Sequence, residues 1–181
     1  RYGDRDVGLL ALFVLNVVEI LPGKAIYIAP NVPHAYLEGD LVECMACSDN
    51  VVRAGLTHKF KDVQTLLQML DYSVAQPEIT EPKPGLGGFL EFQLPIREFS
   101  LRVLPHGSGF VELQPSEGKA EMLLCLGRSA SIRLSGGGEA MQIRDGESIL
   151  LPVGVGACLI ERSDAAIYRV TAGEFAALQG T

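Results

Sequence analysis

The stretch Pro22-Gly23-Lys24-Ala25-Ile26-Tyr27-Ile28-Ala29-Pro30-Asn31-Val32-Pro33-His34-Ala35-Tyr36 decides the reading of the fold. It runs as a tight turn, a strand, a second turn built on proline, and a further strand. The same order returns in Arg144-Asp145-Gly146-Glu147-Ser148-Ile149-Leu150-Leu151-Pro152-Val153-Gly154-Val155-Gly156-Ala157-Cys158, with a slip of one residue. Such a repeat governs any reading of architecture, because each copy reads as one supersecondary unit. Around the copies, apolar runs are bounded by Leu37-Glu38-Gly39-Asp40 and Ser135-Gly136-Gly137-Gly138. Short strands with turns at this spacing predict a mainly β sandwich or barrel.

One segment departs from that pattern. From Lys61 to Tyr72 the apolar residues Val63, Leu66, Leu67 and Leu70 fall at i, i+3, i+4 and i+7, the spacing of one helix face. Pro77 to Gly88 (PEITEPKPGLGG) follows, and its prolines and glycines suit neither a ladder nor a helix. The expected organisation is therefore residues 1–76 with a helix near 61–72, a linker over 77–88, and a second module over 89–181. The apolar run from Val7 to Val18, broken by Asn16, is too short to cross a bilayer as a helix and suits a buried strand. The first residue is Arg1 and a strand-like run begins almost at once, which reads as a piece of a longer chain.

The 181 residues are 48% hydrophobic and 20% charged, a balance that supports one globular core or two small ones and excludes disorder. With 15 Lys+Arg against 22 Asp+Glu, the net charge of −7 attracts neither nucleic acid nor anionic lipid. Any bound anion has to be held by a few local groups. Of the four cysteines only Cys44 and Cys47 are close, in a segment that reads as strand, and no second CxxC follows. The expectation is reduced, buried thiols in a soluble cytoplasmic protein.

Candidate chemistry gathers between His34 and Lys59. His34 follows a proline at the mouth of a turn, and alternation sends it to the same face as Tyr36. Neutral imidazole is a good ligand for a divalent ion. His106, between Pro105 and Gly107, reads as an exposed turn residue, and His58 as a rim residue. Ser48-Asp49-Asn50 is a turn signature, and Arg53 projects from the constrained backbone beyond it. An Asp49–Arg53 pair at the surface is a solvated ion pair of small value; partly buried, it would fix a cation able to stabilise an enediolate.

The repeated turn–strand–turn–strand unit resembles the second motif of the cupin barrels, where the residue opening the last strand is usually a metal-binding histidine. His34 holds that place in the first copy; Gly156 or Ala157, which cannot ligate, holds it in the second. The resemblance implies a mainly β, jelly-roll fold of two cupin-like modules joined by a short helix. The stretch PHAYLEGDLVECMACSDNVVRAGLTHK, Pro33 to Lys59, is similar to the signature region of the type I phosphomannose isomerases, zinc-dependent enzymes that interconvert mannose 6-phosphate and fructose 6-phosphate. Asp6-Val7-Gly8, Leu15-Asn16 and Pro22-Gly23-Lys24-Ala25 fit the same family; from Pro77 onward only the turn pattern carries the resemblance.

The likeness implies that His34 is a zinc ligand, that Arg53 is the active-site arginine, and that Tyr36, Glu43, Asp49 and Lys59 line or brace the substrate pocket. His58 stands where the family commonly has proline. The family's other zinc ligands, a Gln-x-His pair and a Glu, lie in an N-terminal half that this chain lacks. The implied cofactor is one zinc ion shared with ligands outside the chain, and the implied partners are a sugar phosphate and that missing half. A non-catalytic cupin-like binding or scaffolding module is the alternative; a metal-dependent dioxygenase would need an HxH pair, which is absent.

Overall fold

The structure, a computed structural model, describes residues 6–48, 50–74 and 76–173; Asp49 and its expected pairing with Arg53 lie outside them. Two compact units emerge. Within the described residues, 6–22, 26–43 and 47–79 form the first, and 23–25, 44–46 and 80–173 the second. Two short strands, β1 (Ala25–Ile26) and β2 (Ile79–Thr80), make a two-stranded sheet.

The second unit is a seven-stranded antiparallel sheet. Its strands are β3 (Lys83–Pro84), β4 (Leu90–Phe92), β5 (Phe99–Leu113), β6 (Glu121–Leu134), β7 (Met141–Arg144), β8 (Ser148–Leu151) and β9 (Cys158–Ala172), in the order β3-β4-β5-β9-β6-β7 with β8 also on β6. Alternation explains why these segments are strands. Glu121, Leu123 and Cys125 of β6 are buried, and after Gly127 the phase changes to Ala130 and Ile132. On β9 it changes likewise, from Cys158 and Ile160 to Ala165, Ile167 and Arg169. The two changes coincide: Gly127 (φ 115°) is paired with Ala165, next to Asp164 (φ 51°). A left-handed residue in a strand re-aims every side chain beyond it, so each long strand buries opposite faces in its two halves.

Among the described residues the core lies in this unit. Phe89, Leu113, Leu123, Ile160 and Ile167 belong to the larger cluster, and Phe92, Leu101 and Val103 to a smaller one against which Ala25 and Cys44 pack. Each fully buried aliphatic side chain contributes about 1.5–3 kcal/mol. One ion pair is buried with them. Arg169 Nε and Nη2 donate to Glu121 Oε2 and Oε1 at 2.8 and 2.7 Å, and the Ser116 amide donates to Oε1 at 2.7 Å.

The mainly β reading holds, but the strands do not close into a barrel: β3 and β7 end the path without meeting. β3 is two residues long and contains Pro84, which has no N–H to extend a ladder. Pro77 to Gly88 is also more ordered than expected. It carries β2, β3 and a 3-10 turn over Leu86–Gly88, with its prolines near sheet edges, where a missing donor costs little. His106 lies inside β5 and not in a turn.

The first unit has no buried residue among those described. The run from Val7 is not a strand but a 3-10 turn over Val7–Leu10 continuing as α1 (Ala11–Val14), with Phe13 and Val14 about four-fifths exposed. A strand needs a partner for its amides, and the described residues provide none here. Helical turns instead satisfy them locally, as in Leu15 N to Ala11 O at 2.9 Å. The second helix, α2 (Val63–Met69), is shorter than the sequence spacing suggests, with Asp62 capping it through the Thr65 amide at 3.0 Å. Its apolar face is only partly covered, since Val63 and Leu67 are exposed. No helix among the described residues is long and apolar enough to cross a membrane.

The sequence repeat is also a backbone repeat over its two turns. Gly23 (φ 80°) matches Gly146 (φ 77°), and Asn31 (φ 67°) matches Gly154 (φ 82°), eight residues on in each copy. Asn is among the few side-chain-bearing residues that visit this region readily. Counted from those turns, His34 corresponds to Ala157.

Candidate functional site

The second Pro30-Asn31 turn delivers His34 to an exposed position. Its Nδ1 lies 3.0 Å from the Val32 carbonyl. A carbonyl can only accept, so this contact requires a proton on Nδ1, and in the neutral ring that tautomer leaves the Nε2 lone pair for a ligand. The Tyr36 ring stands 5.8 Å from the His34 ring, tilted by 57°. The Tyr36 hydroxyl donates to Glu43 Oε1 at 2.6 Å. Partial burial, then the Glu43 hydrogen bond and charge, push the Tyr36 phenol up to about 12. His34, Tyr36 and Glu43 are thus one contact chain, and Glu43 is already engaged as an acceptor.

Arg53 and Lys59 take no part in that contact chain. Both are exposed, and among the described residues neither charged head group has a hydrogen-bond or ion-pair partner. The Lys59 amide donates to Thr57 Oγ1 at 3.1 Å, which shapes the backbone on which the side chain is carried. His58 is exposed beside it.

What holds this loop was not read from the sequence. Asp6 accepts from the Gly8 amide at 2.8 Å, the Leu56 amide at 3.2 Å and Lys61 Nζ at 3.2 Å. These donors hold its carboxyl below the usual carboxylate range, the Gly8 amide foremost. Gly8 and Gly55 cross at the same point: a Cβ on Gly55 would lie 2.4 Å from the Gly8 Cα. Leu56 follows at φ 53°, a conformation that costs a residue with a side chain about 1–3 kcal/mol and persists where its surroundings over-determine it. The signal available beforehand was Asp6-Val7-Gly8 before a capped turn; nothing local tied it to residues 50 positions away.

The cysteine expectation needs correction at two places. All four thiols are free and Cys125 and Cys158 are buried, but Cys44 is only half-buried and Cys47 is exposed. No strand runs through that segment to bury it.

As a metal site the described residues are incomplete. They contain no group of three or more His, Cys, Asp or Glu side chains placed to hold an ion. Zinc takes four ligands, or three with an open position, and His34 offers one donor. The described residues therefore do not by themselves fit zinc.

No family model matches the chain. Among curated proteins it is 45% identical over 144 residues to a probable mannose-6-phosphate isomerase of Echinococcus multilocularis, covering 75% of this chain and 33% of that protein. It is 38% identical over 167 residues to mannose-6-phosphate isomerase 1 of Arabidopsis thaliana, covering 91% of this chain and 38% of that one. An alignment of that length cannot be contained in the residues before Pro77, so the likeness extends into the second unit. The chain spans about a third of the length of these relatives. A crystal structure of mannose 6-phosphate isomerase from Salmonella typhimurium, bound to fructose 6-phosphate and zinc, superposes with a TM-score of 0.54 at 22% identity, over 69% of this chain and 31% of that one. The shared fold is the cupin fold.

Proposed function

Because this chain is related by sequence to the mannose-6-phosphate isomerases over about a third of their length, we infer that it forms part of an aldose–ketose isomerase interconverting mannose 6-phosphate and fructose 6-phosphate. The single observation carrying this reading is the 45% identity to the Echinococcus multilocularis relative over 144 residues. The geometry lends support in the contact chain His34–Tyr36–Glu43.

The reaction moves a proton between C1 and C2 of the open sugar through a cis-enediol, so it needs a cation near the substrate oxygens, a base, and a dock for phosphate. Arg53, a fixed-charge guanidinium free of partners among the described residues, stabilises the developing negative charge. Lys59 meets the phosphate as a point charge. Tyr36 and Glu43 brace the His34 side of the pocket. His34 would be one donor to a zinc ion, with the remaining ligands supplied by a part of the enzyme outside this chain. The second unit has Ala157 in the place of His34 and so supplies no ligand at that position. Its free cysteines accord with a cytoplasmic protein.

The experiment is a coupled assay of mannose 6-phosphate conversion with added zinc. The 181 residues alone should turn over feebly, and the complete enzyme briskly, with both activity and bound zinc lost on His34→Ala. Brisk turnover by the isolated chain would refute the shared-site reading; no turnover by the complete enzyme would refute the isomerase reading altogether.

A further inference from the structure

We propose that Asp6 is the positioning residue of the loop that presents Arg53 and Lys59, locking residues 53–61 onto the Val7–Leu10 turn. The positioning stands on geometry alone; its consequence for catalysis rests on the isomerase reading. The Asp6 side chain is 7% exposed, in a unit with no buried residue among those described, and it receives donors from 50 and 55 positions along the chain. Its Oδ1 sits in a cradle of two glycines: a Cβ added at Gly8 would lie 2.9 Å from it, and one at Gly55 3.0 Å. Both glycines are there because the backbones and the carboxylate leave no room for a side chain.

The second element is the left-handed Leu56, midway between Arg53 and Lys59. Its amide is what Asp6 Oδ2 accepts. A residue held in this conformation reverts when its restraint is removed, and reversal at Leu56 changes the course of the backbone between the two flanking cations. Lys61 closes the arrangement from the far side, neutralising the carboxylate that would otherwise be buried unpaired. Loop and turn thus both depend on one carboxylate.

Amide hydrogen exchange on the 181-residue chain tests this. Asp6→Asn keeps an acceptor for the Gly8 amide but presents an NH2 to Leu56 and Lys61. Exchange of the Leu56 amide and its neighbours over 53–61 should accelerate at least tenfold, while Leu123 and Ile160 in the sheet keep their wild-type rates. Gly55→Ala, which forces the crossing apart from the other side, should give the same local pattern. Unchanged exchange at Leu56 in both variants, or equal acceleration at Ile160, overturns the proposal. In the complete enzyme Asp6→Asn should lower kcat/KM for mannose 6-phosphate at least tenfold with zinc content unchanged. Unaltered kinetics there would overturn the catalytic consequence, whereas a wild-type enzyme without isomerase activity would defeat the isomerase reading and leave exchange to decide the positioning.

Discussion

Tyr36 donates its hydroxyl proton to Glu43 at 2.6 Å while its ring leans on His34 at 5.8 Å, so one phenol joins an imidazole to a carboxylate seven residues further on. The carboxylate acts on the phenol in a measurable way. Glu43→Gln removes the negative charge but not the partial burial, so the Tyr36 titration, about 12 in the native chain, should move down yet stay above 10. Carbon NMR of labelled tyrosine follows it directly; an unmoved Tyr36 resonance would show that Glu43 does not engage the phenol in solution.

Arg53 separates activity from stability. Exposed and without a partner among the described residues, it can be replaced by alanine at a cost within about 0.5 kcal/mol of folding stability. If it stabilises the enediolate, the same substitution in the complete enzyme should lower kcat by roughly 100- to 1,000-fold, the effect of removing one preorganised donor. Urea melts and steady-state kinetics on one preparation decide it, and an unaltered kcat removes Arg53 from the chemistry.

The buried Glu121–Arg169 pair predicts an acid limit. Burial raises the Glu121 carboxyl, but the Arg169 and Ser116 donors outweigh it and the net shift is downward from 4.5. A depressed folded value means that stability is present above about 4.5 and is lost as pH falls through the folded value. Denaturation from pH 7 to 3 should show this loss in the wild type and a flatter curve in Glu121→Gln. Arg169→Ala, which leaves the carboxylate buried without its main partner, should cost about 3–5 kcal/mol at pH 7.

Gly127 should tolerate no side chain. A Cβ there would lie 2.5 Å from the Asp164 carbonyl and 2.7 Å from His106 Nε2, at a φ of 115°. Gly127→Ala is expected to destabilise the sheet by at least the roughly 1–3 kcal/mol of an overpacked site. Thermal melts measure it, and a melting temperature within a degree of wild type would mean that the β6–β9 bend relaxes freely.

Read by itself, the sequence determined what local chemistry decides. Gly23, Asn31, Gly146 and Gly154 mark their turns because few residues adopt a left-handed backbone, and the short apolar runs between such turns mark strands. The Pro33 to Lys59 stretch likewise announced its kinship unaided. Tertiary structure alone decided that Val7 to Val14 coils instead of extending, because a strand exists only where another chain segment meets its amides. It alone decided that Asp6 reaches Leu56 and Lys61 and that Glu121 meets Arg169, since partners some 50 residues apart leave no mark in any short window of sequence.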